Sequence, residues 1–167
     1  MSLHLVRLTM PVFEALAAGK VAEAERLTGL TMSPWFAERV EIWHYMISLL
    51  DGRPDNADWL MQAVVMDDAA IGNAGFKGAP IDGQVELGYS IAPELRRRGY
   101  ASEVVRLLLD RAAQDARIDR VIARINPDNA PSLGVVAKAG FVPDGDYVSP
   151  RSGLQLQFAH PIVRPPR

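Results

Sequence analysis

The 167-residue sequence contains no cysteine. Disulfides, thiolate nucleophiles and cysteine-held metals are therefore excluded, and the composition suits a reducing compartment, which points to the cytoplasm. An excess of one charge is also lacking. The 18 Lys and Arg stand against 20 Asp and Glu, a net charge of −2, which gives no global attraction to nucleic acid or to an anionic membrane. Uncharged apolar runs stay far below the roughly 18 residues that a membrane span requires. The first residues carry no basic segment followed by an apolar one, so no secretory signal is read. His4, His44 and His160 are too scattered for a metal site. Neither GxxxxGK[ST] nor GxGxxG occurs, so a phosphate ligand would need a different loop.

What is present is organised around residues 84 to 101. Val85, Leu87, Tyr89 and Ile91 alternate with Gln84, Glu86, Gly88 and Ser90, the period of a half-buried strand. Pro93 ends the pairing, and Arg96-Arg97-Arg98-Gly99 leads into a new period. From Tyr100 to Arg117 the residues Ala101, Val104, Val105, Leu108, Ala112 and Ala116 recur at helical spacing. The chain thus passes from strand through a glycine turn to a helix N-terminus, where unpartnered N–H groups and the helix dipole favour an anion such as phosphate. Gly99 and Ala101 keep side chains off the backbone there, and three arginines raise the local potential.

The remaining elements are read in order. Leu3 to Leu8 is a strand, Thr9 a helix cap before Pro11, and Pro11 to Ala18 a helix. Val21 to Leu27 is a second helical piece, Ser33-Pro34-Trp35 a turn, and Glu38 to Leu50 a longer helix stopped at Asp51-Gly52. Trp59 to Met66 and Ala69 to Lys77 are strands, with Gly72 and Gly75 as points of close approach. Arg120 to Ile125 is a strand reached by a parallel crossover, which makes the sheet mixed. Asn129 caps a helix that Gly140 ends, and a hairpin of Tyr147 to Pro150 and Gly153 to Phe158 closes the fold. With 49% hydrophobic and 23% charged residues, residues 1–160 suit one domain, followed by a loose proline-rich tail at 161–167.

Arg96-x-x-Gly99-x-Ala101 after a strand resembles the [QR]xxGx[GA] pyrophosphate loop of the GCN5-related N-acetyltransferase (GNAT) family. Val85-Glu86-Leu87-Gly88-Tyr89 before it, and Asn126-Pro127-Asp128-Asn129-Ala130-Pro131-Ser132 through Lys138-Ala139-Gly140-Phe141 after it, follow the family's order and spacing. Together they resemble the branch that includes ribosomal-protein N-terminal acetyltransferases. The resemblance is good from about Ala70 to Val142. It implies an α/β (α+β) acyl-CoA N-acyltransferase fold, with a mixed, mostly antiparallel, twisted sheet of about six or seven strands flanked by helices.

The resemblance also implies acetyl-CoA as donor, no metal, and a primary amine as acceptor, either a small molecule or a protein N-terminus. Backbone groups of Tyr89, Ser90 and Ile91 would pair with the pantetheine arm. Amides from Arg97 through Arg98, Gly99, Tyr100 and Ala101 to Ser102 would hold the pyrophosphate beside Arg96, and Asn129 would contact the pantetheine. Glu86 would be the general base, acting directly or through water, or it would bind the cationic acceptor; it could instead pair with Arg124 on a neighbouring strand. Relatives often place a leaving-group tyrosine where this chain has Val136, and Ser132 matches a serine of the ribosomal-protein branch that could hydrogen-bond the departing sulfur. Trp35, Phe36, His44 and Tyr45 are candidates for the acceptor wall. A catalytically degenerate CoA-binding module is the alternative, and monomer and homodimer both stay open.

Overall fold

The structure is a computed structural model that describes residues 2–164 and 166. Its contacts group the chain into two units, Met1–Ala79 with Gly88–Tyr100 and Pro80–Leu87 with Ala101–Arg167.

The first unit opens with β1 (His4–Arg7) and α1 (Met10–Ala17). Pro11 lies in the first turn of α1 as expected. Thr9 occupies the cap position, but its side chain makes no capping bond; its carbonyl accepts the Val12 and Phe13 N–H groups instead. Then come α2 (Val21–Thr28), α3 (Trp35–Glu38) and α4 (Val40–Leu50). The single helix expected over 38–50 thus begins only at Val40, and Arg39 breaks it from α3 with φ −106° and ψ 49°. The Phe36 carbonyl, which a continuous helix would bond to the Val40 N–H, accepts the Trp43 indole N–H instead. Phe13, Phe36 and Trp43 stack within 6.4 Å in the core, each stabilising the unit by about 1.5–3 kcal/mol.

This helical layer covers β2 (Gln62–Met66) and β3 (Ala69–Phe76), which pair antiparallel with each other, as β1 does with β2. The strand expected from Trp59 starts three residues later, at Gln62. A register shift at Val64/Val65 leaves Ile71 without a partner on β2. The close approaches expected at Gly72 and Gly75 are present. A Cβ on Gly72 would collide with the Ser90 carbonyl, and one on Gly75 with the Leu60 carbonyl. The unit's strand order is β1-β2-β3-β4, where β4 (Gln84–Ile91) contributes its second half.

The second unit takes the first half of β4, with α5 (Tyr100–Ala113), β5 (Arg120–Ile125), α6 (Ala130–Lys138), β6 (Val142–Ser149) and β7 (Gly153–Pro161). Its strand order is β4-β5-β7-β6. The β4–β5 pair is parallel, with Glu86 opposite Ile122, and the others are antiparallel. Among the described residues, seven strands, mostly antiparallel with one parallel crossover, together with helices give the mixed α/β class expected from the sequence. The apolar stripe of α5, Val104, Val105, Leu108 and Ala112, is buried.

The helix expected to reach Arg117 stops at Ala113, because the Asp115 carboxylate accepts the Arg117 N–H and pulls the backbone into a turn. The expected loose tail is tied as far as Arg164. β7 runs through Pro161, Ile162 N–H donates to the Asp119 carbonyl, and Arg164 Nη2 donates to the Ile118 carbonyl. Residues 165 and 167 of that tail lie outside the described residues. Among the described residues no helix is long and apolar enough to cross a membrane.

Candidate active site

The anion loop is built from the end of β4 to the start of α5. Ala92 N–H donates to the Ile71 carbonyl, a short 3-10 turn spans Pro93–Leu95, and α5 begins at Tyr100. Arg96 folds back, its Nε donating to the Ile91 carbonyl at 2.9 Å, so its side chain braces the loop. Arg97 and Gly99 both adopt left-handed backbone, φ 63° and 82°. Arg96 before them is extended, φ −71° and ψ 162°, so the chain reverses sharply between the 3-10 turn and α5. Arg97, Arg98 and Gly99 are exposed, and a Cβ at Gly99 would meet nothing within 4 Å. Glycine there answers to the left-handed φ, not to crowding by the protein.

Along β4, Ile91 is buried while Tyr89 and Ser90 are half-buried. The Ser90 hydroxyl accepts a hydrogen bond from Arg39 Nη1 at 2.6 Å. In the sequence Arg39 is one more position of the helix expected over 38–50, and nothing in its local pattern marks it out. Of the wall candidates, Phe36 is core, 1% exposed; Trp35 and Tyr45 are half-buried and His44 is exposed.

In the second unit Glu86 is paired, not solvated. Arg124 Nη1 donates to its Oε1 at 2.8 Å, and Arg124 Nε donates to Gln157 Oε1 at 2.9 Å. Gln157 in turn donates to Asp144, which also takes Arg120. The Arg124 guanidinium lies 3.7 Å from the centroid of the Tyr147 ring. Arg124 stands two residues beyond Ile122, the partner of Glu86, so strand alternation puts both side chains on one face, and three neighbours fix the arginine, which holds the carboxylate in one place.

Asn129 caps α6 as expected, its Oδ1 accepting the Ser132 N–H at 3.2 Å. Ser132 is half-buried in the first turn of that helix. Val136, one helical turn further on, is fully buried, because its side chain belongs to the core of the unit. Ala101 and Ser102 lie in the first turn of α5. Beside them a cleft of about 240 Å3 between α5 and α6 is lined by Ser102, Arg106, Leu109, Val135, Lys138 and Ala139. Arg106 and Lys138 were missed in the sequence, since 32 residues separate two basic side chains that only the packing of two helices brings to one cleft.

A family model described as an acetyltransferase (GNAT) domain matches residues 3–142. The chain is similar to the uncharacterized N-acetyltransferase YnaD of Bacillus subtilis (strain 168), 30% identical over 93 residues, which cover 56% of this chain and 55% of that protein. The chain thus spans about half the length of that relative. It is also similar to the uncharacterized N-acetyltransferase YjdG of the same organism, 26% identical, covering 84% of this chain and 86% of YjdG. Among solved structures, the ribosomal L7/L12 alpha-N-protein acetyltransferase RimL in complex with coenzyme A aligns with a TM-score of 0.67 and 18% identity, covering 97% of this chain and 95% of RimL.

Proposed function

The chain belongs to the acetyltransferase (GNAT) domain family, and from that membership we propose that it transfers an acetyl group from acetyl-CoA to a primary amine, of a small molecule or a protein N-terminus. The observation that carries this reading is the loop from Arg96 to Ala101, with its left-handed Arg97 and Gly99 opening α5. The backbone of Tyr89 and Ile91 pairs with the pantetheine arm, the Ser90 carbonyl between them being turned to Gly72 of β3, with Asn129 contacting the arm from the cap of α6. Amides from Arg97 to Ser102 bind the pyrophosphate, and Arg96 holds the loop. Arg106 and Lys138, in their cleft, receive the remaining phosphate-bearing end of the donor.

Transfer requires a neutral amine, a stabilised tetrahedral intermediate and a departing thiolate. The Glu86 carboxylate, fixed by Arg124, binds the acceptor ammonium and accepts its proton through water. The neutral amine nitrogen then bonds to the thioester carbon, the carbonyl electrons moving to oxygen. The nitrogen loses its second proton to solvent, and collapse of the intermediate re-forms the C=O and breaks the C–S bond. The leaving thiolate takes a hydrogen bond from the Ser132 hydroxyl and a proton from solvent.

Acceptor-dependent release of free thiol from acetyl-CoA across a panel of amines tests the reading, with Glu86→Gln beside the wild type. Transfer predicts thiol release that the variant loses while still binding acetyl-CoA. Binding without any thiol release would leave the degenerate CoA-binding module, which the buried Val136 in place of a tyrosine favours.

A further inference from the structure

Arg39 has no part in the roles above, yet it is built into the wall of the first unit. Its side chain is 30% exposed and its guanidinium lies 5.6 Å from the centroid of the Trp35 ring. Among the described residues the Ser90 hydroxyl is its one hydrogen-bond acceptor, so most of its five N–H donors are unused. The Glu41 carboxylate, 3.9 Å from Nε, is too far for a hydrogen bond. Burial holds the guanidinium below its ordinary pKa; Glu41 opposes this, and the like charge of Arg96 adds to it.

A second observation falls in the same place. Asn73, on β3, is 1% exposed, and its Nδ2 has no acceptor among the described residues. The bond from Ala92 N–H to the Ile71 carbonyl sets an antiparallel register, and two residues further along it Asn73 comes opposite Ser90, on the same face. A half-buried cation with spare donors and a buried amide with an unmet donor thus lie on the face that carries the Ser90 hydroxyl. Both lacks are relieved by one anion.

We propose that Arg39, Ser90 and Asn73 form an anion pocket for the acceptor, and that the amine acetylated by this protein carries a carboxylate, as a free amino acid does. The inference rests on the acetyltransferase reading above. The planar guanidinium fork matches a carboxylate in two bonds, and the asparagine amide supplies a third donor. Ser90 thus keeps its carbonyl against Gly72 of β3 and offers its hydroxyl to Arg39. Polycationic amines are disfavoured, since Arg39 and Arg96 repel them.

Thiol release from acetyl-CoA is measured with the common amino acids, with their carboxamides and with spermidine. The same proteins are tested for thermal shift by acetyl-CoA alone, and by N-acetyl amino acids in the presence of CoA. At least one amino acid should be used about ten- to a hundredfold better than its carboxamide, the range of a charge-assisted bond. Arg39→Gln should narrow that acid-to-amide ratio at least about tenfold, chiefly by raising KM, and Arg39→Lys should restore part of it.

Equal use of acid and amide overturns the proposal, and so does a preference for spermidine. Silence of every carboxylate probe in both turnover and thermal shift overturns it as well. If Arg39→Gln instead weakens the acetyl-CoA shift with the acid-to-amide ratio unchanged, the anion belongs to the donor and the proposal fails. A wild type with no acetyl-CoA shift at all marks failure of the acetyltransferase reading itself, and the acceptor pocket falls with it.

Discussion

Arg124 Nη1 donates to Glu86 Oε1 at 2.8 Å between the adjacent parallel strands β5 and β4. With 26% and 15% of the two side chains exposed, the pair is sheltered enough that removing one charge strands the other. Arg124→Met should therefore cost about 2 kcal/mol, roughly 4–8 °C in Tm for a chain of this length, and should lower kcat/KM because Glu86 is no longer held. Calorimetry and thiol-release kinetics on the same sample check both parts. Glu86→Gln should lower kcat/KM by roughly a hundredfold or more with the acetyl-CoA thermal shift retained.

At Gly99 the backbone is left-handed and the space above it is open. Gly99→Ala should cost about 1 kcal/mol of stability through φ alone, whereas a longer acidic side chain would occupy the donor's approach. If, as proposed, backbone holds the pyrophosphate, Arg97→Ala should weaken acetyl-CoA binding far less than Gly99→Glu. Isothermal titration of the three variants separates the cases.

Gly72 faces the Ser90 carbonyl so closely that a methyl group cannot be placed between them. Gly72→Ala should destabilise by about 2–3 kcal/mol, as overpacking against rigid backbone does. It should also push β4 away from β3, disturbing the Arg39–Ser90 bond. Denaturant unfolding gives the stability, and the acid-to-amide ratio in turnover reports the displacement.

Hydrogen bonds from Arg117 hold the Asp115 carboxyl down at about 2, well below the usual carboxylate range. A lowered pKa in the folded state means that the stabilisation is complete above the unfolded value of about 3.9 and is lost as pH falls from there toward about 2. Because 65% of the Arg117 side chain is exposed, screening keeps the effect under about 1 kcal/mol. Asp115→Asn should thus lower Tm slightly at pH 7, with the difference from wild type closing between pH 4 and 2.

The elements nearest the donor loop were readable because short-range physics decides them. Alternation delimits Gln84–Ile91, and a short apolar run after the crossover helix delimits Arg120–Ile125, as they are found, and the asparagine cap of α6 lies in three consecutive steps of chain. The break at Arg39 was not readable, since it follows from an indole N–H seven residues away taking the Phe36 carbonyl and from a hydroxyl 51 residues away holding the arginine. Asn73 reads as an ordinary polar interruption of a strand until its burial is known. The Glu86–Arg124 pair was one of several readings open from the sequence, and the bond to Gln157 that orients Arg124 crosses 33 residues.

Donor binding at the start of α5 is tested most directly by thermal unfolding with and without acetyl-CoA, for the wild type and for Gly99→Glu. At a ligand concentration of 100 times Kd, linkage predicts about 2.7 kcal/mol of stabilisation, or roughly 5–10 °C, for the wild type, and no shift for a folded Gly99→Glu variant. A wild type that does not shift at saturating acetyl-CoA would contradict the donor assignment, and with it the roles given to Glu86, Asn129 and Ser132.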